Sequence, residues 1–261
     1  MSLTLCVLAS GSAANCVYVA SERTRILIDA GLSGRETARR LAQIGAAPET
    51  IAAICVTHEH EDHSAALPIL HRRWRVPLYG NSATIEALER DARRRNLAWR
   101  VFATGSAFEV GDLRVESFSV PHDSYDPVGF VVQGGGTRVG VVTDMGTATG
   151  AIRERLKTCA ALVLESNHDE QLLKDAARPW SLKQRIAGRQ GHLSNTQSGE
   201  LLAAVAGPHL QTVFLAHLSR ECNRPELAQR TVADVLARHG WTHVAVRLTY
   251  PDRVSEVVAV G

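Results

Sequence analysis

The sequence lacks paired cysteines. Its five cysteines are an odd number, and no two of them stand in a C-x-x-C arrangement, which argues against a disulfide-stabilised framework. Cys6, Cys55 and Cys159 lie in apolar runs, where a reduced cysteine behaves as a small hydrophobic residue. We therefore expect a protein of the reducing cytosol, with a cytoplasmic location.

Long apolar runs and low-complexity linkers are also missing. No segment is long and apolar enough to span a membrane, so we expect no membrane partner. The apolar stretch 1–9 is short and lacks a basic region, so a first β-strand is a better interpretation than a signal peptide. Without a linker, two halves of roughly 1–130 and 131–261 are expected to share one core, as a single domain over residues 1–261.

The composition that is present is typical of a globular protein. Apolar residues make up 45% and charged residues 21% of the 261 residues, which argues against disorder. The net charge is +2 before histidine is counted. This mild basicity permits a nucleic-acid partner but does not require one.

Short apolar runs alternate with amphipathic segments along the whole chain. A Ser33–Glu36 capping box starts one helix, which Gly45 ends. Ser82 is predicted to cap a second helix that runs to about Arg95, and residues 224–239 give a third. This alternation predicts a layered α/β fold with mixed sheets. The predicted strands are 3–9, 16–20, 25–29, 51–57, 76–79, 113–120, 128–133, 138–143, 160–165, 212–216, 243–248 and 254–260, and Gly134–Gly136 is predicted as a hairpin turn.

Many of the predicted strands end in a polar residue that can bind a metal. Residues placed just beyond strand ends can converge at one edge of a sheet. The residues in these positions are Asp29, His58, His122, Asp144, Glu165, Asn167, His168 and His217.

The run from Thr57 to His63, T-H-E-H-E-D-H, is the strongest signal in the sequence. His58 and His60 can point to one metal, and Asp62 and His63 to a second beside it. Imidazole nitrogens and carboxylate oxygens without thiolate suit Zn²⁺, Mn²⁺ or Fe. The alternative, a charged surface loop with chance histidines, does not explain so many ligand-type residues behind an apolar strand.

This run resembles the H-x-H-x-D-H signature of the metallo-β-lactamase superfamily. The resemblance implies an αββα sandwich, in which two mixed sheets face each other with helices outside, and a site for two divalent ions. It implies that His58, His60 and His122 hold the first metal, and that Asp62, His63 and His217 hold the second. By the same resemblance, Asp144 bridges the two metals and Asp29 supports the ligands from outside the ligand set.

Differences from other branches of the superfamily indicate which branch this chain resembles most. Flavodiiron-type members have Glu where this chain has His60, which disfavours redox chemistry, and the main secreted lactamases have Cys where it has Asp144. The chain has no room for the inserted domain of the larger RNA-processing members. Further motifs resemble the small cytosolic subgroup called YycJ, WalJ or VicX, which implies a DNA exonuclease that works from the 5′ end: Ala9–Ser12 with Asn15, Glu165–Asp169, Gly191–Asn195 and His217–Glu221, with Cys222 as a departure.

The candidate substrate-binding residues are Ser10, Ser12 and Asn15 in a polar loop, together with Asn167 and Asn195. The loop could donate N–H groups to a phosphate, although an ordinary tight turn is as good an explanation. A basic segment lies between His168 and His192 and includes Trp180, which suits a nucleic-acid backbone and a base; a solvated surface loop explains it equally well. Its basic residues are Lys174, Arg178, Lys183, Arg185 and Arg189.

Our hypothesis from the sequence is a metal-dependent phosphodiester hydrolase that acts on DNA. Two metals lower the pKa of a bound water, and the hydroxide attacks phosphorus. The candidate catalytic residues are Asp62, which is also a metal ligand, and His168 and His192, either of which can stabilise the phosphate or protonate the leaving oxygen. Two rivals remain: a small-molecule hydrolase for a cyclic phosphodiester or a thioester, and a binding protein that has lost catalysis.

Overall fold

A computed structural model describes residues 2–261 of the chain. Two sheets of seven strands each form the centre of the molecule. The strands are β1 (Leu3–Ala9), β2 (Cys16–Ala20), β3 (Arg25–Ile28), β4 (Ile51–Cys55), β5 (Leu78–Asn81), β6 (Trp99–Phe102), β7 (Ala107–Val110), β8 (Leu113–Ser119), β9 (Val128–Gly134), β10 (Thr137–Val142), β11 (Ala161–Glu165), β12 (Thr212–Ala216), β13 (Ala245–Leu248) and β14 (Val258–Val260).

Helices connect these strands on the outer faces. None of the helices within residues 2–261 is long and apolar enough to cross a membrane. The helices are α1 (Gly34–Gln43), α2 (Glu61–Ser64), α3 (Leu67–Trp74), α4 (Ser82–Glu89), α5 (Gly150–Leu156), α6 (Glu170–Asp175), α7 (Trp180–Ile186), α8 (Asn195–Val205) and α9 (Pro225–Arg238), with short 3₁₀ turns at Pro48–Thr50 and Ala92–Arg94.

Both sheets contain parallel and antiparallel neighbours. The first has the order β14-β1-β2-β3-β4-β5-β6, and the second has the order β13-β12-β11-β10-β9-β8-β7. Neighbours pair in parallel from β3 to β6 and from β10 to β13. The remaining neighbours pair antiparallel. The predicted αββα sandwich is therefore confirmed.

Three apolar layers hold this sandwich together, because most of the strands away from the sheet edges present apolar side chains on both faces. In β1, Leu5 and Val7 face the layer between the sheets, where they join Phe130 and Phe214. The intervening residue Cys6 faces the layer under α1 and α3. A third layer lies between the second sheet and helices α5, α8 and α9. Since the central layer draws on both halves of the chain, we propose that they form one domain.

Several boundaries differ from those predicted. Asn81, not Ser82, caps α4 by accepting the N–H of Thr84, and α4 ends at Glu89 instead of about Arg95. Ser33 caps α1, but the capping box predicted there is half formed, because the Glu36 carboxylate binds Arg39 and Arg40. The predicted strand 254–260 is shorter and is confined to β14. Strands β6 and β7 were not predicted, because they lie at sheet edges and are partly exposed.

Candidate metal centre

Polar side chains follow five strands of the sandwich at the same end. Parallel β3 and β4 lead to Asp29 and to Thr57 and His58, while parallel β10, β11 and β12 place three more ligand-type residues at their ends. Because parallel strands finish at one edge, both sheets deliver their polar residues to one place. These three residues are Asp144, Glu165 and His217.

Three residues of this edge have left-handed backbone conformations. Asp29, Asp144 and His217 have φ values of 65°, 55° and 55°. Residues other than glycine in this region cost on the order of 1–3 kcal/mol and are held there by their surroundings. Each follows a strand directly or by one residue, and the left-handed turn takes the chain out of the strand toward the centre.

Four overlapping groups of ligand-type atoms form at this edge. One joins Asp144 to His58 and His63, another joins it to Glu165, His192 and His217, and the other two match the predicted ligand sets. His58, His60 and His122 offer atoms within 4.8 Å of one another, and Nε2 of His58 lies 3.0 Å from Nδ1 of His60. Asp62, His63 and His217 form the second group. Oδ2 of Asp62 lies 3.4 Å from Nε2 of His63 and 3.4 Å from Nε2 of His217.

Asp144 lies between the two groups. Its Oδ2 is 3.1 Å from Nε2 of His63, and its Oδ1 is 3.5 Å from Nε2 of His217 and 3.7 Å from Nε2 of His122. The structure thus brings together all seven residues that the sequence predicted as metal ligands.

Hydrogen-bond partners outside the two ligand groups determine which ring nitrogen carries the proton in four histidines. Nδ1 of His63 lies 2.7 Å from the Asp29 carboxylate, and Nδ1 of His122 lies 3.2 Å from the Gly191 carbonyl. Carboxylates and carbonyls only accept hydrogen bonds, so Nδ1 carries a proton, and in the neutral ring Nε2 faces the centre with its lone pair. The same logic holds for the other two histidines: His58 donates to Thr57, whose hydroxyl donates to Asp29, and His217 Nδ1 lies 3.2 Å from Glu165.

Glu165 is a site residue that the sequence reasoning noted at a strand end but did not assign. Its carboxylate is fully buried and lies 2.7 Å from Nδ1 of His192 and 3.2 Å from Nδ1 of His217. It also accepts the backbone N–H groups of Met145 and Leu193. The available signal was its place at the end of an apolar strand, the same signal that identified Asp144.

The two non-ligand histidines occupy different surroundings. His192 is 21% exposed at its side chain, stacks on His217 with ring centroids 5.2 Å apart, and lines a cavity beside the centre. His168 is buried, and its Nδ1 has no hydrogen-bond partner within residues 2–261. A catalytic role for His168 stays a prediction.

The cavity beside the centre has a volume of about 210 Å³. Its walls are mostly polar and carry two guanidinium groups. Arg185 pairs with Asp123 at 2.5 Å, and Arg178 pairs with Glu221 at 2.8 Å. The residues that line it include Ser12, Asn167, Arg178, Arg185, His192 and Ser219.

The predicted substrate-binding residues divide between this cavity and the protein interior. Ser12 is exposed on the cavity, and Asn167 lines it while donating to the His217 carbonyl. Ser10, Asn15 and Asn195 are buried. Ser10 accepts the N–H of His217, Asn15 donates to Asp62 at 3.0 Å, and Asn195 accepts from Ser166. Ser10 and Asn15 therefore hold loops that carry predicted metal ligands, and Asn195 holds the loop after β11. Contact of these three side chains with substrate stays a prediction.

Burial and charge shift the pKa values of the central groups in opposite directions. Burial and the neighbouring His63 hold the pKa of His58 well below its usual range. Burial also opposes charge on His217, but the carboxylates of Asp144, Asp62 and Glu165 outweigh it and raise the pKa of His217 to about 10. Despite its burial, Glu165 has a pKa of about 2, because His192 and His217 stabilise its charged form. The carboxylates therefore attract positive charge to the centre.

The donor set fits divalent metal ions. Oδ2 of Asp144 is buried and has no aligned hydrogen-bond partner among the described residues, although imidazole nitrogens surround it. The inward-facing atoms are nitrogen lone pairs and carboxylate oxygens, which are ligands of Zn²⁺ and Mn²⁺. Cations would satisfy both the orphaned oxygen and the lone pairs that converge on it.

Comparison with known proteins identifies the family. Residues 24–218 match the family described as the Beta-lactamase superfamily domain. The chain belongs to this superfamily. All seven predicted ligands of this superfamily member lie within the matched range.

Relatives extend the match beyond that range. This superfamily member is 35% identical over 242 residues to the exodeoxyribonuclease YycJ of Bacillus anthracis, covering 92% of each chain. It is 34% identical over 235 residues to the exodeoxyribonuclease WalJ of Streptococcus pneumoniae, covering 89% of this chain and 87% of that protein. The metallo-β-lactamase fold protein YhfI of Bacillus subtilis superposes with a TM-score of 0.75 at 15% identity, covering 99% of each chain, which is a likeness of fold.

Proposed function

We propose that this protein is a metal-dependent phosphodiester hydrolase that degrades DNA from the 5′ end. The observation that carries the proposal is the arrangement of two ligand groups around Asp144, with a polar, arginine-bearing cavity directly beside them. The two exodeoxyribonuclease relatives, which match this chain over most of its length, support the choice of a DNA substrate.

In this proposal one ion would be held by His58, His60 and His122. A second ion would be held by Asp62, His63 and His217, and Asp144 would bind both ions. Zn²⁺ and Mn²⁺ are the ions that we propose. When bound, two such ions lower the pKa of a coordinated water and stabilise charge on the attacking and leaving oxygens. A cytoplasmic location is part of the proposal, and it rests on the five cysteines, all described, buried and unpaired.

The chain's own residues supply orientation and proton transfer. Arg178 and Arg185 present their guanidinium groups to the cavity, where they can orient a phosphate. Although burial opposes charge on His192, the Glu165 carboxylate at its Nδ1 raises the pKa of this ring, so the protonated imidazolium can donate its Nε2 proton to the leaving oxygen. The same carboxylate accepts from Nδ1 of His217, so Glu165 orients both the proposed proton donor, His192, and a proposed metal ligand, His217.

The experiment that tests this function is digestion of end-labelled nucleic acids by the metal-loaded protein. Single- and double-stranded DNA and RNA, labelled at either end, should be compared with a cyclic phosphodiester and a thioester. We expect release of nucleotides from the 5′ end of DNA. Turnover of only the small substrates would favour the small-molecule hydrolase instead, and no turnover of any substrate would favour a binding protein.

The role of His192 gives a separate prediction. We expect His192→Ala to lower DNA hydrolysis by about a hundredfold or more while metal content stays unchanged, since general acid catalysis typically contributes that much. Hydrolysis of a nitrophenyl phosphodiester should suffer less, because nitrophenolate leaves without a proton. Both rates, measured beside metal content, test the role.

The matched control for this prediction is His239→Ala. His239 is an exposed histidine after α9, so its loss should leave both rates at the parent level. Equal losses on DNA and on the nitrophenyl ester in His192→Ala would contradict a proton-donor role for His192.

A further inference from the structure

Helix α7 carries the most exposed large apolar side chain among those described. Trp180, at the first position of this helix, is 67% exposed. An indole ring normally gains free energy from burial, and the other tryptophans of this chain are partly buried. The ring therefore presents a free aromatic surface to whatever binds there.

An apolar cavity of about 270 Å³ adjoins this ring. The cavity lies between α6 and α7, and its walls are almost entirely apolar carbon. It therefore offers few hydrogen-bonding groups that could select a specific polar ligand. A flat, weakly polar group could slide over the indole and into this space. The cavity is lined by Glu170, Leu173, Lys174, Trp180, Lys183, Gln184 and Ala187.

The cavity is lined by two lysines and one acidic residue, Glu170, whose carboxylate accepts from the Ser194 hydroxyl, so the charge at its rim is positive on balance. Lys174 and Lys183 both line it, and the Lys183 ammonium donates to the Lys174 carbonyl. Neither ammonium group forms an ion pair with a carboxylate of residues 2–261, unlike Arg178 and Arg185. An apolar slot edged by cations without carboxylate partners is complementary to a ligand that has a flat face and an anionic backbone. A nucleotide within a single strand has both.

Helix α7 is also fixed to the metal centre. Arg185 pairs with Asp123, the residue after the predicted ligand His122. The N–H of His192 donates to the Ile186 carbonyl at 2.8 Å. A Cβ on Gly191 would stand 2.2 Å from the carbonyl oxygens of Arg185 and Ile186, so the two segments are in close contact. A group held on Trp180 would therefore lie at a constant distance from the centre.

We infer that Trp180 stacks a nucleobase of single-stranded DNA, with Lys174 and Lys183 beside the flanking phosphates. The inference deepens the proposed function and rests on it, because it names a position on the substrate strand away from the bond that is cut. Stacking is tolerant of base identity, since every base has an aromatic face. This contact would hold the strand while successive nucleotides are removed.

Binding of a fluorescein-labelled, phosphorothioate-linked oligothymidylate to the metal-loaded protein tests the inference. Loss of base–aromatic stacking predicts a Kd raised by about 10- to 100-fold in Trp180→Ala. Trp180→Leu should bind as weakly, whereas Trp180→Phe should retain most of the affinity because it keeps a ring. Val101→Ala removes a similarly exposed side chain from β6 and should bind as the parent does.

Abasic substitution locates the stacked base. A single abasic site is moved along the oligonucleotide, and it should raise the Kd of the parent protein at one position only. At that position the abasic site should not raise the Kd of Trp180→Ala any further, because the stacking contact is already lost. Equal affinity of the leucine and phenylalanine variants would overturn stacking. A change from dimer to monomer in Trp180→Ala, with Kd unchanged, would overturn it too and would identify a second copy of the chain as the occupant.

A nitrophenyl ester of thymidine 5′-phosphate separates this inference from the proposed function. Trp180→Ala should hydrolyse this short ester at the parent rate, because the ester has no second nucleotide to stack on Trp180. If the parent cleaves neither the ester nor DNA, the proposed function fails. If the parent cleaves both and Trp180→Ala binds DNA normally, only the stacking inference fails.

Discussion

Replacing Asp144 with alanine is expected to remove nearly all phosphodiester hydrolysis. Its carboxylate lies between the two ligand groups, 3.1 Å from His63 and 3.5 Å from His217. Loss of a residue that merely orients a metal ligand typically costs about 10–100-fold in activity. We propose that both ions share Asp144, so its loss should cost at least about a hundredfold. Metal content should fall from about two ions per chain toward one, measured by elemental analysis alongside the rate.

Asp112→Ala is the matched control for Asp144→Ala. Asp112 is also a hydrogen-bonded carboxylate, but it binds Ser21 and Arg23 in the turn that precedes β3, at the opposite end of that strand from Asp29. Its replacement should leave turnover and metal content at the parent values. Near-normal turnover by a folded Asp144→Ala protein would contradict a shared ligand at this position.

Replacing Gly31 with alanine should disrupt the centre without touching any ligand side chain. A Cβ at this position would stand 1.7 Å from the carbonyl oxygen of Asp62 and 2.8 Å from the backbone nitrogen of Asn15. That nitrogen donates to the same carbonyl at 2.7 Å, so the methyl group would force the ligand-bearing turn away. We expect a loss of about 1–3 kcal/mol in the free energy of unfolding, together with weaker metal binding.

Gly136→Ala provides the comparison for this effect. A Cβ on Gly136, in the turn between β9 and β10, meets nothing within 4 Å, so denaturant unfolding and metal titration should match the parent. If Gly31→Ala unfolds and binds metal as the parent does, the contact between Gly31 and the Asp62 turn does not shape the centre.

The sequence predicted the parts of the site that depend on local pattern. His58 to His63 form a continuous run, and Asp144 and His217 follow apolar strands, so their chemistry and position could be recognised together. The sandwich was predictable for the same reason, because its buried strands are apolar along their whole length. Edge strands β6 and β7 carry polar, half-exposed residues, and no periodic pattern distinguishes them from loops.

Contacts between distant segments could not be predicted. Asn15 bonds Asp62 across 47 residues, and Ser10 bonds the backbone of His217 across 207. Nothing local in the sequence separates such supporting side chains from those that meet a substrate. Glu165 was missed as an anchor for the same reason, since its role depends on His192 and His217, which other segments supply.

Metal titration of the chelator-stripped protein tests the central claim most directly. A single sample would be followed for bound metal and for hydrolysis of a nitrophenyl phosphodiester as Mn²⁺ or Zn²⁺ is added. We predict two binding events per chain, with full turnover only after the second, because we propose that the two ligand groups share the Asp144 carboxylate. Full turnover with one equivalent of metal, or without metal, would contradict the account.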